Sequence, residues 1–438
     1  MPAAPDERGD QGAVQTIMTN NSYTHTTMDK KYWLLMKSNV YADFKEKQTL
    51  LYDTDSGKCI TLSHEAQTTL IKALYEDLNL GSVEVNSNDM LDAERGECIR
   101  LLCDSGMARL VAMDECPVKP VSLLPILSLN KDVDKLMDKE EGRLLLSKDI
   151  TKYLLDVNIQ LTDYCPLSCS HCSGYCKQFP CCSQGREPIG QLPADSLERL
   201  LRQVSHYPVR TINITGGDIY TYKHLDLFSS QFAAGTKMLN FYVNYLNYRP
   251  HETVDCHRIH VLVNTPLHTD RLKEVIAQTR QKDVHFHAIV EDGQQYEAIA
   301  SILEEAQVED FQIHPFYNGA NMDFFKENVY LSKEDIESGK LSIREIFRNQ
   351  KMNANFFGSL YFYPDGTVRA NPNSAVIGNI MDDEIIDIIF KEMIDNTAWR
   401  KVRDAAPCSR CVYQFICPPL SNYELAIGKS DLCTVNMR

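Results

Sequence analysis

Residues 153–172 read YLLDVNIQLTDYCPLSCSHC, a β-rich run that leads into three cysteines within eight positions. The run YLLDVNIQLT predicts a strand, so Cys165, Cys169 and Cys172 lie in the loop that follows it. Folds built from parallel strands carry their active residues at the carboxyl ends of the strands. This stretch therefore predicts a core strand with a functional site at its end.

Beyond residue 150, strand patterns alternate with helical ones. Further strands are predicted in TINITGG, MLNFYVNYLN, HRIHVLVNT, DVHFHAIV and DFQIHPFY, with helical patterns such as DRLKEVIAQTRQK and QQYEAIASILEEAQ between them. Six such units imply a parallel sheet, and six are too few for a full eight-fold barrel. The predicted fold class is α/β, with a partial (β/α)6 TIM-like barrel over residues 150–345.

The first 28 residues are polar and unpatterned, which predicts a disordered tail. Residues 29–114 are predicted to form a winged-helix-like domain with one small sheet, two or three helices and a closing strand at 107–113. Gly57 suits a hairpin turn because it tolerates positive φ. A helix that follows places four apolar residues on one face: Leu70, Ile71, Leu74 and Leu78.

Residues 115–149 are predicted to be a linker, extended at first and then forming a bridging helix in NKDVDKLMDKEEGRLLL. The last segment, residues 346–438, contains a predicted hairpin in LYFYPDGTVRA and a cysteine-rich tail. The expected architecture is therefore a central barrel with an added domain on each side.

Composition limits the classes of protein to which this chain can belong. The 438 residues are 43 % hydrophobic, which is ordinary for a globular protein, and they contain no apolar run long enough to span a membrane. The net charge is -15 with no basic block to offset it, so nucleic acid is not an expected partner. The 15 cysteines are odd in number and clustered, and no signal peptide is evident. We therefore expect a cytoplasmic protein with metal-binding thiolates rather than disulfides.

The C-x3-C-x2-C loop cannot close a zinc site alone, because structural zinc takes four protein ligands. An iron-sulfur cube held by three thiolates keeps one iron free for an outside ligand. Two alternatives stay open at this point. The cysteines could be buried without a metal, or they could share zinc with a distant fourth ligand.

This loop resembles the signature of the radical S-adenosylmethionine enzymes, which carry C-x3-C-x2-C after the first strand of a partial barrel. The resemblance implies that Cys165, Cys169 and Cys172 hold a [4Fe-4S] cluster whose open iron binds S-adenosyl-L-methionine. Its reductive cleavage in the family gives methionine and a 5'-deoxyadenosyl radical that abstracts hydrogen. His171 stands where the family usually has another aromatic residue.

The family's second signature, Gly-Gly-Glu after the second strand, matches Gly216, Gly217 and Asp218, with Asp in place of Glu. The resemblance implies that this segment grips the amino group of S-adenosylmethionine. Asn264 falls where relatives place a polar residue toward the same ligand, although an Asn at a strand end is also a common turn former. The resemblance assigns no catalytic residue, and the family signature has no place for Cys176, Cys181 and Cys182.

Four cysteines near the end of the chain supply enough thiolates for a closed zinc site or a closed cluster: Cys408, Cys411, Cys417 and Cys433. Their spacing does not choose between the two. The segment resembles the SPASM domain of peptide-modifying radical enzymes, which normally holds two auxiliary clusters. Asn371 and Ser421 stand at cysteine positions of that pattern, so the resemblance implies that one auxiliary cluster is lost and one [4Fe-4S] cluster is kept.

The resemblance is strongest to SPASM-type maturases of Bacteroidales peptide systems. It implies a precursor peptide whose leader binds residues 29–114, and an electron donor such as flavodoxin or ferredoxin. The predicted activity is radical modification of a ribosomally made peptide, as a crosslink, thioether or epimerisation. The alternative is a catalytically inactive scaffold that binds the precursor for another enzyme.

Overall fold

The structure is a computed structural model of the chain. It describes residues 30–125, 148–167, 169–182, 190–228, 237–250 and 256–435. The predicted tail at residues 1–28 and the predicted bridging helix lie outside the described residues.

The N-terminal part contains two three-stranded sheets rather than the single small sheet expected from the sequence. Its elements are β1 (Lys31–Met36), β2 (Val40–Phe44), β3 (Thr49–Asp53), β4 (Cys59–Leu62), α1 (Glu65–Tyr75), β5 (Ser82–Asn86), α2 (Ser87–Leu91), α3 (Ala93–Asp104) and β6 (Ala108–Ala112). One sheet has the order β5-β1-β6, and the other is the meander β2-β3-β4. Gly57, with φ of 77°, forms the turn between β3 and β4 as predicted.

Helix α1 packs its apolar face into the N-terminal core through Leu70, Ile71 and Leu74. The assignment of Leu78 to this face is wrong. The helix ends at Tyr75, and Leu78 is 92 % exposed in the turn that follows. The predicted winged-helix topology remains a prediction.

The central sheet has nine strands and is mostly parallel. Its strands are β7 (Asp156–Gln160), β8 (Thr211–Thr215), β9 (Met238–Asn244), β10 (Arg258–Val263), β11 (Val284–Val290), β12 (Phe311–Pro315), β13 (Ser359–Phe362), β14 (Thr367–Arg369) and β15 (Val376–Asn379). Strands β7 to β12 are parallel neighbours in chain order, which confirms the predicted α/β sheet. Strand β13 joins β7 in parallel, and β14 and β15 add antiparallel. Among the described strands β12 and β15 are edges, so barrel curvature stays a prediction.

The helices after β7 are α4 (Cys172–Gln178), α5 (Ala194–Ser205), α6 (Thr269–Thr279), α7 (Gly293–Glu305), α8 (Met322–Val329), α9 (Lys333–Ser338), α10 (Ile343–Asn349), α11 (Ile385–Asp395) and α12 (Asn422–Ile427). Helix α5 buries Leu197, Leu200, Leu201 and Val204 in the same core as Val157 and Ile159 of β7. Because side chains alternate along a strand, this packing turns Asn158 and Gln160 toward the opposite face. That opposite face carries polar side chains and faces the cysteine loop.

Two rows of hydrogen-bonded side chains cross this polar face. In the asparagine ladder, Asn240 donates to Asn213 and Asn213 donates to Asn158, both at 2.9 Å. The histidine ladder joins ring nitrogens of His260 to His287, and of His287 to His314, at 2.8 Å each. Together the ladders connect side chains on six neighbouring strands, although Oδ1 of Asn240 and Nε2 of His260 are buried without a hydrogen-bond partner among the described residues.

The meander β2-β3-β4 packs against the cysteine-rich C-terminal part. Tyr52 of β3 is fully buried there, and its hydroxyl donates to the carbonyl of Gly339 at 2.7 Å and accepts from the amide of Leu341 at 2.8 Å. Lys45 donates to Gln414 at 2.6 Å across the same contact. The two ends of the described chain therefore share one core. No described helix is both long and apolar enough to cross a membrane.

Candidate cofactor site at the cysteine loop

The three loop cysteines lie directly beyond β7, and helix α4 begins at the third of them. Cys165, Cys169 and Cys172 are half-buried. The amide of Cys172 donates to the carbonyl of Cys169 at 3.2 Å, which tightens the loop before the helix. The thiols therefore lie at the carboxyl end of the sheet, where the sequence predicted them.

The glycine pair at the end of β8 presses against this loop. Gly217 has φ of 53°, and a Cβ there would lie 2.3 Å from the carbonyl oxygen of Tyr164 and 3.0 Å from Cβ of Cys165. A Cβ on Gly216, with φ of 133°, would lie 2.7 Å from the amide nitrogen of Thr162. Only glycine lets β8 approach the cysteine loop this closely. The space beside both glycines is filled by the chain itself.

Asp218 is bound to another side chain. It is 1 % exposed, and its Oδ2 accepts a hydrogen bond from Nη2 of Arg249 at 2.6 Å. Its Oδ1 accepts from the amide of Tyr220 at 3.3 Å. Both carboxylate oxygens therefore have partners before any ligand is present. Sequence analysis could not identify Arg249, because it lies in a loop without a motif.

Asn264 belongs to the cysteine loop's surroundings rather than to a simple turn. It is 4 % exposed, and its Oδ1 accepts from Asn244 at 2.6 Å. Burial raises the pKa of the Cys169 thiol, and a hydrogen bond with the Asn264 side chain opposes that rise. Asn247, which the sequence analysis missed, donates to Sγ of Cys165 at 3.3 Å. The loops after β9 and β10 thus bring amides to two of the three thiols.

The three cysteines outside the family signature also gather here. Cys181 and Cys182 are buried. A hydrogen bond with Cys176, together with burial, raises the pKa of Cys181 well above its usual value. Burial also raises the pKa of Cys182, and the charges of Cys172, Cys165 and Cys169 raise it further.

A cavity of about 50 Å³ lies between α4 and the polar face of the sheet. It is lined by thiol, amide and aromatic side chains, including Cys176, Cys181, Gln160, Thr215, Tyr242 and Tyr361. Two cysteines outside the family signature, Cys176 and Cys181, therefore border a cavity shared with the sheet.

His171 points its ring at the end of β11. Its Nε2 lies 3.7 Å from Oε2 of Glu291, and its ring centroid lies 5.3 Å from that of Phe316. The histidine ladder lies on the same face of the sheet. Burial lowers the pKa of His287 to about 2 and the pKa values of His260 and His314 to about 4. The ladder is therefore neutral at physiological pH.

The four C-terminal cysteines line one cavity of about 20 Å³: Cys408, Cys411, Cys417 and Cys433. Arg403 lies beside them, 3.9 Å from Sγ of Cys408, and its Nη1 donates to Glu424 at 2.6 Å. Burial would lower the pKa of Arg403, but the negative charges of Cys417 and Glu424 outweigh it and raise the pKa. A volume of this size holds about one water-sized atom. Either a zinc ion or a four-iron cube would therefore require the four side chains to rearrange.

Both sets of cysteines are candidate metal ligands. Within the described ranges, no group of three or more His, Cys, Asp or Glu side chains is arranged to hold a metal ion as it stands. The chemistry of the donors nevertheless fits, since Cys thiolates are the usual ligands of iron-sulfur clusters and of structural zinc. Binding would therefore draw the sulfur atoms inward.

At two positions where the SPASM pattern has cysteines, this chain has polar residues that form hydrogen bonds. Asn371 is 1 % exposed and donates to Oδ1 of Asn422 at 2.7 Å. Ser421 precedes α12 and donates its amide to Glu424 at 2.7 Å. The first bond joins two segments of the C-terminal part, and the second lies within the cap of α12.

Comparisons with known proteins find no matching family model and no matching curated protein. Among solved structures, the chain is similar to Streptococcus suis SuiB bound to the precursor peptide SuiA, at 12 % identity and a TM-score of 0.44, over 92 % of this chain and 100 % of that one. The same SuiB bound to S-adenosylmethionine gives 12 % identity and a TM-score of 0.42, over 87 % and 94 %. Native anSMEcpe with bound AdoMet gives 12 % and 0.42, over 60 % and 88 %. At these TM-scores the likeness carries no argument about this chain.

Proposed function

We propose that this protein is a radical S-adenosylmethionine enzyme that modifies a ribosomally made precursor peptide. One observation carries the proposal. Three thiols in one loop lie beyond the first of six parallel strands, and groups from the ends of the next three strands contact that loop. In a sheet of parallel strands, functional groups are concentrated at the carboxyl ends of the strands.

In this proposal Cys165, Cys169 and Cys172 hold a [4Fe-4S] cluster. A cluster held there would provide the one-electron reduction that cleaves bound S-adenosylmethionine to a 5'-deoxyadenosyl radical. The amides of Asn264 and Asn247 stabilise the thiolate forms of Cys169 and Cys165, because a hydrogen bond to the charged form favours it. The close contact at Gly217 fixes the distance between the cysteine loop and the end of β8.

Gly216, Gly217 and Asp218 would bind the amino group of the ligand, as the resemblance implies. Both oxygens of Asp218 already accept hydrogen bonds, so a ligand amine has to share Oδ2 with Arg249 or displace it. A carboxylate oxygen accepts two hydrogen bonds, which makes sharing possible. In this arrangement Arg249 positions Asp218, and Asn264 borders the rest of the ligand.

Cys408, Cys411, Cys417 and Cys433 form a second, closed site in the proposed enzyme. Four thiolates leave no free coordination position, so the site passes electrons or braces the fold. Arg403 stabilises negative charge at these sulfurs because it is buried beside them. A zinc ion is the alternative occupant of this site.

The precursor's leader would bind the N-terminal part by adding a strand to a sheet. Strands β5 and β6 are the edges of one sheet, whereas the meander β2-β3-β4 has one face buried against the C-terminal part. The edges β5 and β6 are therefore the more accessible places.

We further propose a cytoplasmic location and a flavodoxin or ferredoxin as electron donor.

Cleavage of S-adenosylmethionine tests the enzyme. Anaerobically reconstituted protein, reduced with dithionite, should release 5'-deoxyadenosine and methionine, slowly without peptide. Cys169→Ala should abolish release because it removes a cluster ligand, whereas Cys417→Ala should retain it. Cys116→Ala, which replaces a half-buried thiol in the linker, is the matched control. If the wild type with a full complement of iron releases no 5'-deoxyadenosine, the peptide-binding scaffold is the better description.

A further inference from the structure

Cys182 is held against the same two glycines that border the cysteine loop. Its carbonyl oxygen accepts hydrogen bonds from the amides of Gly216 at 2.7 Å and Gly217 at 2.8 Å. Its side chain is buried, and the residue is 8 % exposed. Two backbone hydrogen bonds at a strand end fix its position, so Cys182 is not a thiol on a loose surface loop.

The loop cysteines lie on the other side of this contact. A Cβ on Gly217 would lie 3.0 Å from Cβ of Cys165, while the amide of the same glycine bonds to Cys182. Cys169 packs against the buried apolar cluster that contains Cys182 and Phe316. Cys182 and Cys165 thus border Gly217 from two sides, and Cys169 borders the cluster that contains Cys182. A fourth thiol therefore stands beside the set of three.

We propose that Cys182 is a fourth thiolate ligand of the metal centre at the cysteine loop, which occupies the position left open by the C-x3-C-x2-C pattern until S-adenosylmethionine displaces it. The inference rests on the proposed function and adds a closed resting form to it. Four thiolates complete a cluster in the usual way and shield its last iron from solvent. The exchange breaks one iron-thiolate bond, forms bonds to the ligand's amine and carboxylate, and gives the released sulfur a proton from solvent.

Its sequence neighbour Cys181 provides a matched control. Cys181 is equally buried, but its thiol is hydrogen-bonded to Cys176 beside the cavity. Cys172 acts on both thiols, but Cys181 is bonded to Cys176, whereas Cys182 also lies near Cys165 and Cys169. Replacing Cys181 should leave the closed form intact.

The test compares wild type, Cys182→Ala, Cys182→Ser and Cys181→Ala, all as full chains reconstituted anaerobically with iron and sulfide. Each is oxidised mildly with ferricyanide and examined by electron paramagnetic resonance for a three-iron cluster, which forms when an iron without a thiolate is lost. We expect about one three-iron cluster per chain in both Cys182 variants and almost none in wild type or Cys181→Ala. The Cys182 variants should also bind S-adenosylmethionine roughly tenfold more tightly if the closed form is about 90 % populated.

Equal three-iron signals in wild type and both Cys182 variants overturn the inference and leave the proposed function standing. If the loop takes up zinc, and Cys182→Ser and Cys169→Ala both lose it, Cys182 is a ligand and the proposed function fails. If neither wild type nor the Cys182 variants bind any metal at the loop, both proposals are overturned.

Discussion

Arg249 donates a 2.6 Å hydrogen bond to Asp218, and the two residues differ sharply in exposure, at 42 % and 1 % of their side chains. The carboxylate is thus almost completely removed from water, and Arg249 is a charged group that compensates it. Removing one partner of a buried pair leaves an uncompensated charge. The pair therefore matters for stability before it matters for any ligand.

We expect Arg249→Ala to lower the free energy of unfolding by about 2 kcal/mol, less than for a fully buried pair because water can reach the vacated side. Urea unfolding of the metal-free protein measures it. Arg258→Ala is the control, since Arg258 pairs with the exposed Asp283 and Asp310 and should cost less than about 1 kcal/mol. Equal losses in the two variants would show that Asp218 does not depend on Arg249.

The histidine ladder predicts acid sensitivity. Burial lowers the pKa of His287 to about 2 and those of His260 and His314 to about 4, whereas an unfolded histidine titrates near about 6.5. Between about pH 6.5 and 4 the unfolded state binds the additional protons. The ladder's contribution to stability is therefore present above about pH 6.5 and is lost as the pH falls toward 4 and below.

His287→Gln should reduce the dependence of the unfolding free energy on pH by roughly 1.4 kcal/mol per pH unit in this range, because one proton fewer is taken up. Urea unfolding at several pH values between 4 and 7 gives the slope. His206→Gln, at an exposed helix end, should leave the slope unchanged. An unchanged slope in His287→Gln would mean that His287 is already charged in the folded protein.

The contact of Tyr52 with residues 339 and 341 predicts a loss of stability on removal of one oxygen atom. Tyr52→Phe leaves the Gly339 carbonyl and the Leu341 amide without their partner, which should cost about 1–3 kcal/mol. Thermal unfolding measures the change. Tyr296→Phe, whose residue is 46 % exposed, should have little effect. A similar shift in both variants would argue against the contact in solution.

Metal analysis separates the two cysteine sets. If both hold four-iron clusters, reconstituted protein should contain about eight irons, and triple replacement of Cys165, Cys169 and Cys172 by Ala should leave about four. If the C-terminal site holds zinc, the wild type should contain about four irons and one zinc, and the triple variant should keep only the zinc. Iron retained in full by the triple variant would contradict metal binding at the loop.

The order of strand and helix patterns was enough to predict the central sheet. Runs such as HRIHVLVNT and DVHFHAIV are rich in Val, Ile and Phe, and β10 and β11 are indeed parallel neighbours. The same reasoning places Cys165 and Gly217 at the carboxyl ends of neighbouring strands, where the two residues lie close together. Local patterns determine strands, and chain order determines which strands are neighbours.

The end of a helix and the contacts between distant parts of the chain could not be predicted in this way. The extension of the α1 face to Leu78 failed because the helix stops at Tyr75, and a repeat of apolar residues does not specify where a helix ends. The bond between Asp218 and Arg249 joins two loops, and no periodicity describes loops. The division of the N-terminal strands into two sheets depends on a surface contributed by the C-terminal part.

The shared core between the meander β2-β3-β4 and the C-terminal part has a consequence during synthesis. Tyr52 bonds to a residue 287 positions later in the chain, and Tyr41 and Leu50 pack in the same core with Val412 and Ile416. A ribosome producing about 5–20 residues per second needs tens of seconds to cover that distance. Throughout this interval the face of the meander remains exposed to water and to other nascent chains. This core can therefore form only after Val412 and Ile416 have been synthesised, and chains that stop before these residues should be the aggregating species.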